Sequence, residues 1–217
     1  MKFSPKITKE EVNLLEPAEF TGKIVLVDKK TQINEAVEYL KAQKIVGVDT
    51  ETRPSFVRGT HYKVSLMQIA TDDCCYLFRL NKIGFPHELL DFLSDTNIKK
   101  IGLSLHDDFR SLNKRNKIKP NNFVDIQSIA KDYGILELGL QKIYAIIFGK
   151  KISKSQRLTN WENETLTEQQ KRYAATDAWA CLKIYKELLK EQKITKKELQ
   201  MLIMEFSQPI EKTNSNF

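Results

Sequence analysis

Two acidic residues near the start of the chain have the type and spacing of metal ligands. They lie in the segment Ile45–Glu51, whose apolar residues predict a buried strand. Because strand side chains alternate in direction, Asp49 and Glu51 point to the same face. Two carboxylates at this spacing repel each other, and burying them without a partner is costly. A cation is therefore expected beside them, and hard oxygen ligands suit Mg²⁺ or Mn²⁺.

A third candidate acid follows the predicted strand that ends at Leu103. Ser104 stands three residues before Asp107, a capping-box pattern that predicts a structural role for Asp107 at a helix start. Asp108 instead falls on the helix face that is otherwise leucine and phenylalanine, and this face should turn toward the sheet. A buried acid there needs a partner, so Asp108 rather than Asp107 is the predicted metal ligand.

The last candidates lie on one long helix, which the capping box Thr167–Gln170 should open and which should run to about Lys190. Tyr173 and Asp177 are four residues apart, so the phenol and the carboxylate point into the same space. Such a pair is a weak signal alone, since it can simply form a hydrogen bond. Together with three other acids it is typical of a catalytic site.

These residues must be positioned by the surrounding elements. Hydrophobic periodicity predicts strands over Lys23–Val27, Ile45–Glu51, Lys63–Ala70, Cys74–Leu80 and Lys99–Leu103. It predicts helices over Thr31–Ala42, His87–Leu93, Asp125–Tyr133, Leu138–Phe148 and Thr167–Lys190, with Asp125 as the cap of its helix. Thr71-Asp72-Asp73 predicts a hairpin. The chain is thus divided into a leader (1–22), one domain (23–206) and a disordered tail (207–217).

The charge balance favours a polyanionic partner. The chain of 217 residues has 35 Lys+Arg against 28 Asp+Glu, a net charge of +7. The loop after the acidic strand interleaves basic and aromatic residues (Arg53, Phe56 and Arg58), which would suit the phosphates and bases of a single strand, although an ordinary surface loop is an equal alternative. Lys154 and Arg157 lie in a second basic loop. That loop also holds Trp161, predicted to be a packing residue.

Composition also bears on the environment of the protein. No stretch is apolar enough for a signal peptide or a bilayer span, so no membrane partner is expected. Cys74, Cys75 and Cys181 form no C-x-x-C pair, which indicates a reducing, cytoplasmic setting. No G-x-x-x-x-G-K-[ST] motif is present, which argues against a P-loop enzyme. The oligomeric state is left open.

The order of the motifs resembles the DEDDy 3′–5′ exonucleases, the family of RNase D and the Werner-type exonuclease domains. The resemblance rests on Asp49-Thr50-Glu51, then Asp108, then Tyr173-Ala174-Ala175-Thr176-Asp177, and it runs from about Lys23 to Leu189. Gln68-Ile69-Ala70 and Leu158–Glu162 add to it. It implies an α/β, ribonuclease H-like fold with a mixed central β-sheet flanked by α-helices. The helical domain that usually follows in RNase D is missing from the sequence, which favours a Werner-like enzyme.

The resemblance also implies a mechanism with two divalent cations, Mg²⁺ or Mn²⁺. Asp49 would bridge both ions, Glu51 and Asp177 would hold the first, and Asp108 would anchor the second. Tyr173 would orient the attacking water. The expected reaction releases nucleoside 5′-monophosphates from a single-stranded 3′ end of DNA or RNA, with a lean to DNA.

Two alternatives were weighed against this expectation. A degenerate, catalytically inactive nucleic-acid-binding module predicts the loss of one or more acids, whereas all four are present. A purely structural interpretation, in which every acid caps a helix or pairs with a lysine, leaves the same-face pair Asp49 and Glu51 unexplained.

Overall fold

The computed structural model describes residues 2–207. The strands are β1 (Glu16–Pro17), β2 (Lys23–Val27), β3 (Ile45–Glu51), β4 (Leu66–Ala70), β5 (Cys74–Phe78), β6 (Lys99–Gly102), β7 (Phe123–Asp125) and β8 (Lys150–Lys151). The helices are α1 (Lys9–Leu14), α2 (Ile33–Lys41), α3 (Leu80–Ile83), α4 (His87–Ser94), α5 (Leu105–Asn113), α6 (Ile126–Ala130), α7 (Leu140–Phe148), α8 (Glu168–Leu188) and α9 (Lys196–Ser207). Short 3₁₀ turns precede α2 and follow α6.

The acidic strand β3 lies inside a six-stranded mixed sheet with the order β2-β5-β4-β3-β6-β7. It pairs antiparallel with β4 and parallel with β6. β4 and β5 form the hairpin that Thr71-Asp72-Asp73 predicts. An interior strand is paired on both sides, so the direction of every side chain on β3 is fixed by its register.

Helices cover both faces of the sheet. On one face α2, α4 and α5 contribute to a core cluster with Val46, Val48, Met67 and Ile69. On the other face α8 packs across the sheet through Ala174, Ala178 and Leu182, while α6 and α7 extend this layer. The architecture is therefore the mixed sheet flanked by helices that was expected. The predicted elements reappear with end shifts of a few residues, for example Cys74–Phe78 in place of Cys74–Leu80.

One capping prediction is wrong. Ser104 takes a left-handed conformation (φ 59°) and makes no side-chain cap, so the predicted Ser104–Asp107 capping box does not form. The start of α5 is satisfied instead by Asp125, whose carboxylate accepts from the backbone N–H groups of Ser104 (3.3 Å) and Leu105 (2.8 Å). Asp125 also caps α6 through the N–H of Gln127, as predicted. The Asp125 carboxylate thus accepts hydrogen bonds from the N-termini of both α5 and α6.

The segment before β2 lies against the body of the domain. β1 pairs in parallel with β8, and Phe3 and Phe20 are buried in two of the core clusters. At the other end α9 extends to Ser207, and the rest of the predicted tail lies outside the described residues. Within residues 2–207, every helix is too short or too polar to cross a lipid bilayer.

Candidate active site

The structure brings three of the predicted acids together. Asp49 and Glu51 point from β3 toward α8, and Asp177 points from α8 toward them, so that one carboxylate oxygen of each lies within 4.8 Å of the other two. Glu51 and Asp177 are buried, and Asp49 is partly exposed. Three carboxylates at this separation could hold a divalent cation with oxygen ligands.

The fourth acid is held from the opposite side of β3. Thr50 points away from Asp49 because neighbouring strand residues alternate, and its hydroxyl donates to the Asp108 carboxylate at 2.6 Å. Asp108 is partly buried, whereas Asp107 is exposed to solvent. The structure therefore places Asp108 next to the end of β3, but outside the set of three oxygens that converge within 4.8 Å.

The surroundings of the four acids disfavour their ionised forms. Burial raises the pKa of Glu51 to about 9, with Asp177 and Asp108 as the next causes. Burial also raises the pKa of Asp108 and of Asp177 to about 7. The pKa of Asp49 is raised well above its usual range by burial and then by the three other acids. Each group favours its protonated form because ionising it would add charge to a desolvated cluster.

Tyr173 lies beside Asp177 on α8, as the sequence predicts. Burial raises the pKa of Tyr173, and the neighbouring acids raise it further, so the hydroxyl stays protonated. Tyr173 in turn lowers the pKa of the neighbouring Asp177 carboxyl. The ring lies 6.1 Å from that of Trp161, which is fully buried, so the packing role predicted for Trp161 is confirmed. Trp161 thus helps to fix the tyrosine.

Among the predicted nucleic-acid contacts, two lie close enough to the acids to act on them. Arg157 lowers the pKa of Glu51, and Lys154 lowers that of Asp177. Both side chains belong to exposed residues in the loop between β8 and α8. The exposed positive charge needed to attract a phosphate therefore stands beside the acidic cluster.

The other predicted nucleic-acid contacts lie in the loop after β3. The guanidinium of Arg53 stacks 4.6 Å from the ring centroid of Tyr62 and lies 3.5 Å from the carboxylate of Glu162. Phe56 is 84% exposed, and Arg58 is also on the surface. The Arg53 side chain is thus oriented by partners in the same chain although it is 41% exposed, whereas Phe56 and Arg58 face solvent and remain predicted contacts for a base or a phosphate.

A groove of about 910 Å³ adjoins the tyrosine. Its walls come from the leader, from the loop after β8 and from the first two turns of α8, and they include Glu19, Lys151, Arg172 and Tyr173. Acidic and basic groups are balanced in this groove. Lys151 and Arg172 already donate to the backbone carbonyls of Asn13 and Phe20.

Two residues that adjoin the acids are part of the motifs quoted above, but the sequence predicted no role for either of them. Thr50 lies between Asp49 and Glu51, and its bond to Asp108 depends on a helix that is distant in the sequence. Gln68 is fully buried directly opposite Asp49 on β4. A glutamine inside the apolar run of β4 is a signal that could have indicated a role for Gln68, because polar residues are uncommon at buried strand positions.

The chain belongs to the 3′–5′ exonuclease family, whose model matches residues 24–193. The match covers all four acids and Tyr173. This is the class of protein that the mixed sheet and the acidic cluster define, and the DEDDy-type resemblance is confirmed.

Particular relatives agree with this assignment. The chain is 33% identical over 154 residues to the mouse bifunctional 3′–5′ exonuclease/ATP-dependent helicase WRN, an alignment that covers 66% of the chain and 11% of WRN. The Nibbler EXO domain of Aedes aegypti superposes with a TM-score of 0.73 at 22% identity, covering 86% of this chain and 99% of that one. Escherichia coli RNase D gives 0.71 at 22% identity, with 87% and 52% covered. These structures confirm the ribonuclease H-like fold.

Proposed function

We propose that this protein is a metal-dependent 3′–5′ exonuclease that hydrolyses the terminal phosphodiester bond of a single-stranded nucleic acid. The observation that carries the proposal is the convergence of Asp49, Glu51 and Asp177 within 4.8 Å at a buried site on the central strand. Family membership supports the reaction class. The products would be nucleoside 5′-monophosphates, released one at a time from the 3′ end.

The donor set fits divalent cations. The three convergent side chains offer only carboxylate oxygens, the ligands that Mg²⁺ and Mn²⁺ prefer. Within residues 2–207, no lysine or arginine forms an ion pair with these acids or with Asp108. Without cations, ionising these acids would place negative charges close together in a buried cluster, and this is why their pKa values are raised. We propose that Asp49, Glu51 and Asp177 would hold one ion and that Asp49 and Asp108 would hold a second.

The chemistry follows from these ligands. Bound divalent cations lower the pKa of water and stabilise the charge that develops on the phosphate and the leaving oxygen. Tyr173 keeps its proton at neutral pH, so its hydroxyl can hydrogen-bond the attacking water and orient it. Lys154 and Arg157 would attract the phosphates of the strand toward the acids.

Between DNA and RNA, we propose DNA as the slightly favoured substrate. The 33% identity to WRN supports a Werner-type enzyme. The fold is shared with Escherichia coli RNase D, which is described as an exoribonuclease involved in structured RNA processing, at 22% identity. A pocket that accepts or rejects a 2′-hydroxyl would make the distinction.

The test follows matched DNA and RNA oligonucleotides that carry a label at the 5′ or at the 3′ end, with Mg²⁺, Mn²⁺ or EDTA. We expect a ladder of shortened 5′-labelled strands, immediate release of labelled mononucleotide from the 3′ end, and no cleavage in EDTA. A circular single strand of the same composition is the control, since it has no end and should stay intact. Cleavage of the circle, or cleavage that persists in EDTA and in Asp177→Asn, would overturn the proposal. Binding of the strands without cleavage would favour the inactive nucleic-acid-binding module.

A further inference from the structure

Gln68 is a buried glutamine whose amide has no hydrogen-bond partner within residues 2–207. It lies on β4 with 0% exposure, and both its side-chain oxygen and its side-chain nitrogen are unsatisfied there. Leaving such groups unsatisfied costs about 1–3 kcal/mol each. An apolar residue of similar size would avoid this cost. The presence of the amide therefore indicates that it gains a hydrogen-bond partner under another condition.

The register of the sheet shows which polar group is nearest on its face. Gln68 forms a directly opposed pair with Asp49 across the antiparallel strands β3 and β4. Side chains of such a pair point to the same face, with Cβ atoms about 5 Å apart. A glutamine side chain is long enough to span that distance, so its amide is within reach of the Asp49 carboxylate.

The neighbours of Gln68 on its own strand and on β5 are apolar. On its own strand Leu66 and Ala70 share the face, and on β5 the opposed residue is Leu77. These three belong to the buried cluster that contains Ala174 and Ala178 of α8. Of the two acids that β3 presents on this face, Asp49 is directly opposed to Gln68 and Glu51 is diagonal to it, so the Asp49 carboxylate is the nearer polar group.

We propose that Gln68 is a positioning residue of the metal site, whose side-chain N–H donates to the Asp49 carboxylate when divalent cations are bound. This inference rests on the proposed function, because it assumes that Asp49 is a metal ligand. Carboxylates that bind metals are commonly oriented by a hydrogen bond from a second residue, and loss of that residue lowers metal affinity by about 10–100-fold. Bound cations would fix the orientation of the Asp49 carboxylate, and this carboxylate would then accept a hydrogen bond from the Gln68 amide.

The experiment measures Mn²⁺ binding by calorimetry at fixed pH, together with the melting temperature of the metal-free protein. Gln68→Met keeps the volume and removes the amide. We expect Mn²⁺ affinity to fall about tenfold, while the metal-free protein melts at the same temperature or higher, because two unsatisfied polar atoms have been removed. With saturating Mn²⁺, kcat should fall more than KM changes.

The matched control is Gln170→Met. Gln170 is also buried, but its amide is bonded, to the Thr159 hydroxyl at 2.9 Å and within the capping box of Thr167. This variant should melt at a lower temperature and keep its Mn²⁺ affinity. It shows whether a loss of stability alone can weaken metal binding.

Asp49→Asn separates this inference from the proposed function. Mn²⁺ binding that survives Asp49→Asn would overturn the proposed function itself. Binding that is lost in Asp49→Asn but stays within twofold of wild type in Gln68→Met would overturn only the role of Gln68. A lowered melting temperature of Gln68→Met with unchanged affinity would likewise show that Gln68 is structural.

Discussion

A Cβ atom added to Gly47 would lie 1.9 Å from the carbonyl oxygen of Ala178. β3 and α8 therefore touch through their backbones at this point, a separation that only glycine permits. Gly47 precedes Asp49 by two residues on the same face, and Ala178 follows Asp177 directly. The close approach of strand and helix is what brings the carboxylates of Asp49 and Asp177 within range of one cation.

Gly47→Ala should therefore damage both the fold and the site. The added methyl group meets backbone that cannot move aside, and such overpacking costs about 3 kcal/mol. We expect a clear fall in melting temperature and, where the protein still folds, a loss of Mn²⁺ binding. Gly139→Ala is the control, because nothing lies within 4 Å of the added atom and its φ of −91° suits alanine. Wild-type Mn²⁺ binding and stability in Gly47→Ala would contradict the role of this contact.

Tyr173→Phe should slow turnover without loosening the metal site. The substitution keeps the ring beside Trp161 and removes only the hydroxyl. If that hydroxyl orients the attacking water, kcat should fall about 100-fold with little change in KM for an oligonucleotide. Single-turnover and steady-state assays with one labelled strand would measure both. A large rise in KM at unchanged kcat would show that Tyr173 binds substrate instead.

Residues with local signals were the ones that the sequence predicted well. The alternation along Ile45–Glu51 and the capping box of Thr167 depend on neighbours within a few positions, and both are found as predicted. Four acids and one tyrosine could be named because each lies on an element with a clear period. Their meeting in space could not be derived from periodicity, since it depends on the contact between Gly47 and Ala178.

Features that depend on distant partners were missed. β7 has only three residues and leads straight into α6, so no turn residue or alternation marks it. The capping of α5 by Asp125 replaces a plausible local cap with one from 20 residues away. The prediction for Ser104 was wrong for the same reason, because its left-handed backbone N–H donates to Asp125, which is distant in the sequence. Local patterns do not contain such information.

The two adjacent aspartates of α5 give a direct test of the site. Asp107 is exposed, whereas Asp108 accepts a hydrogen bond from Thr50. We expect Asp107→Asn to keep activity within about twofold and Asp108→Asn to lower it by at least 100-fold. Thr50→Val, which removes the hydroxyl and keeps the shape, should fall between them. Rates with saturating Mn²⁺ would decide, and the reverse order for the two aspartates would show that Asp107 is the functional acid.

The acidic cluster should make the metal-free protein less stable as pH rises. Over the same pH range, the stabilisation by bound metal should increase. Burial raises the pKa of Glu51 from 4.5 to about 9, so between these values the folded state binds a proton more tightly than the unfolded state does. The stabilising contribution of that proton is complete below pH 4.5 and is lost as pH rises through 9. In EDTA, the melting temperature should therefore fall from pH 6 to pH 9, and Glu51→Gln should flatten this trend.

Because bound cations replace the protons, added Mn²⁺ should raise the melting temperature more at pH 8.5 than at pH 6. Calorimetric scans at the two pH values would measure both effects, and an equal Mn²⁺ increment at each pH would contradict the competition between protons and metal at these carboxylates.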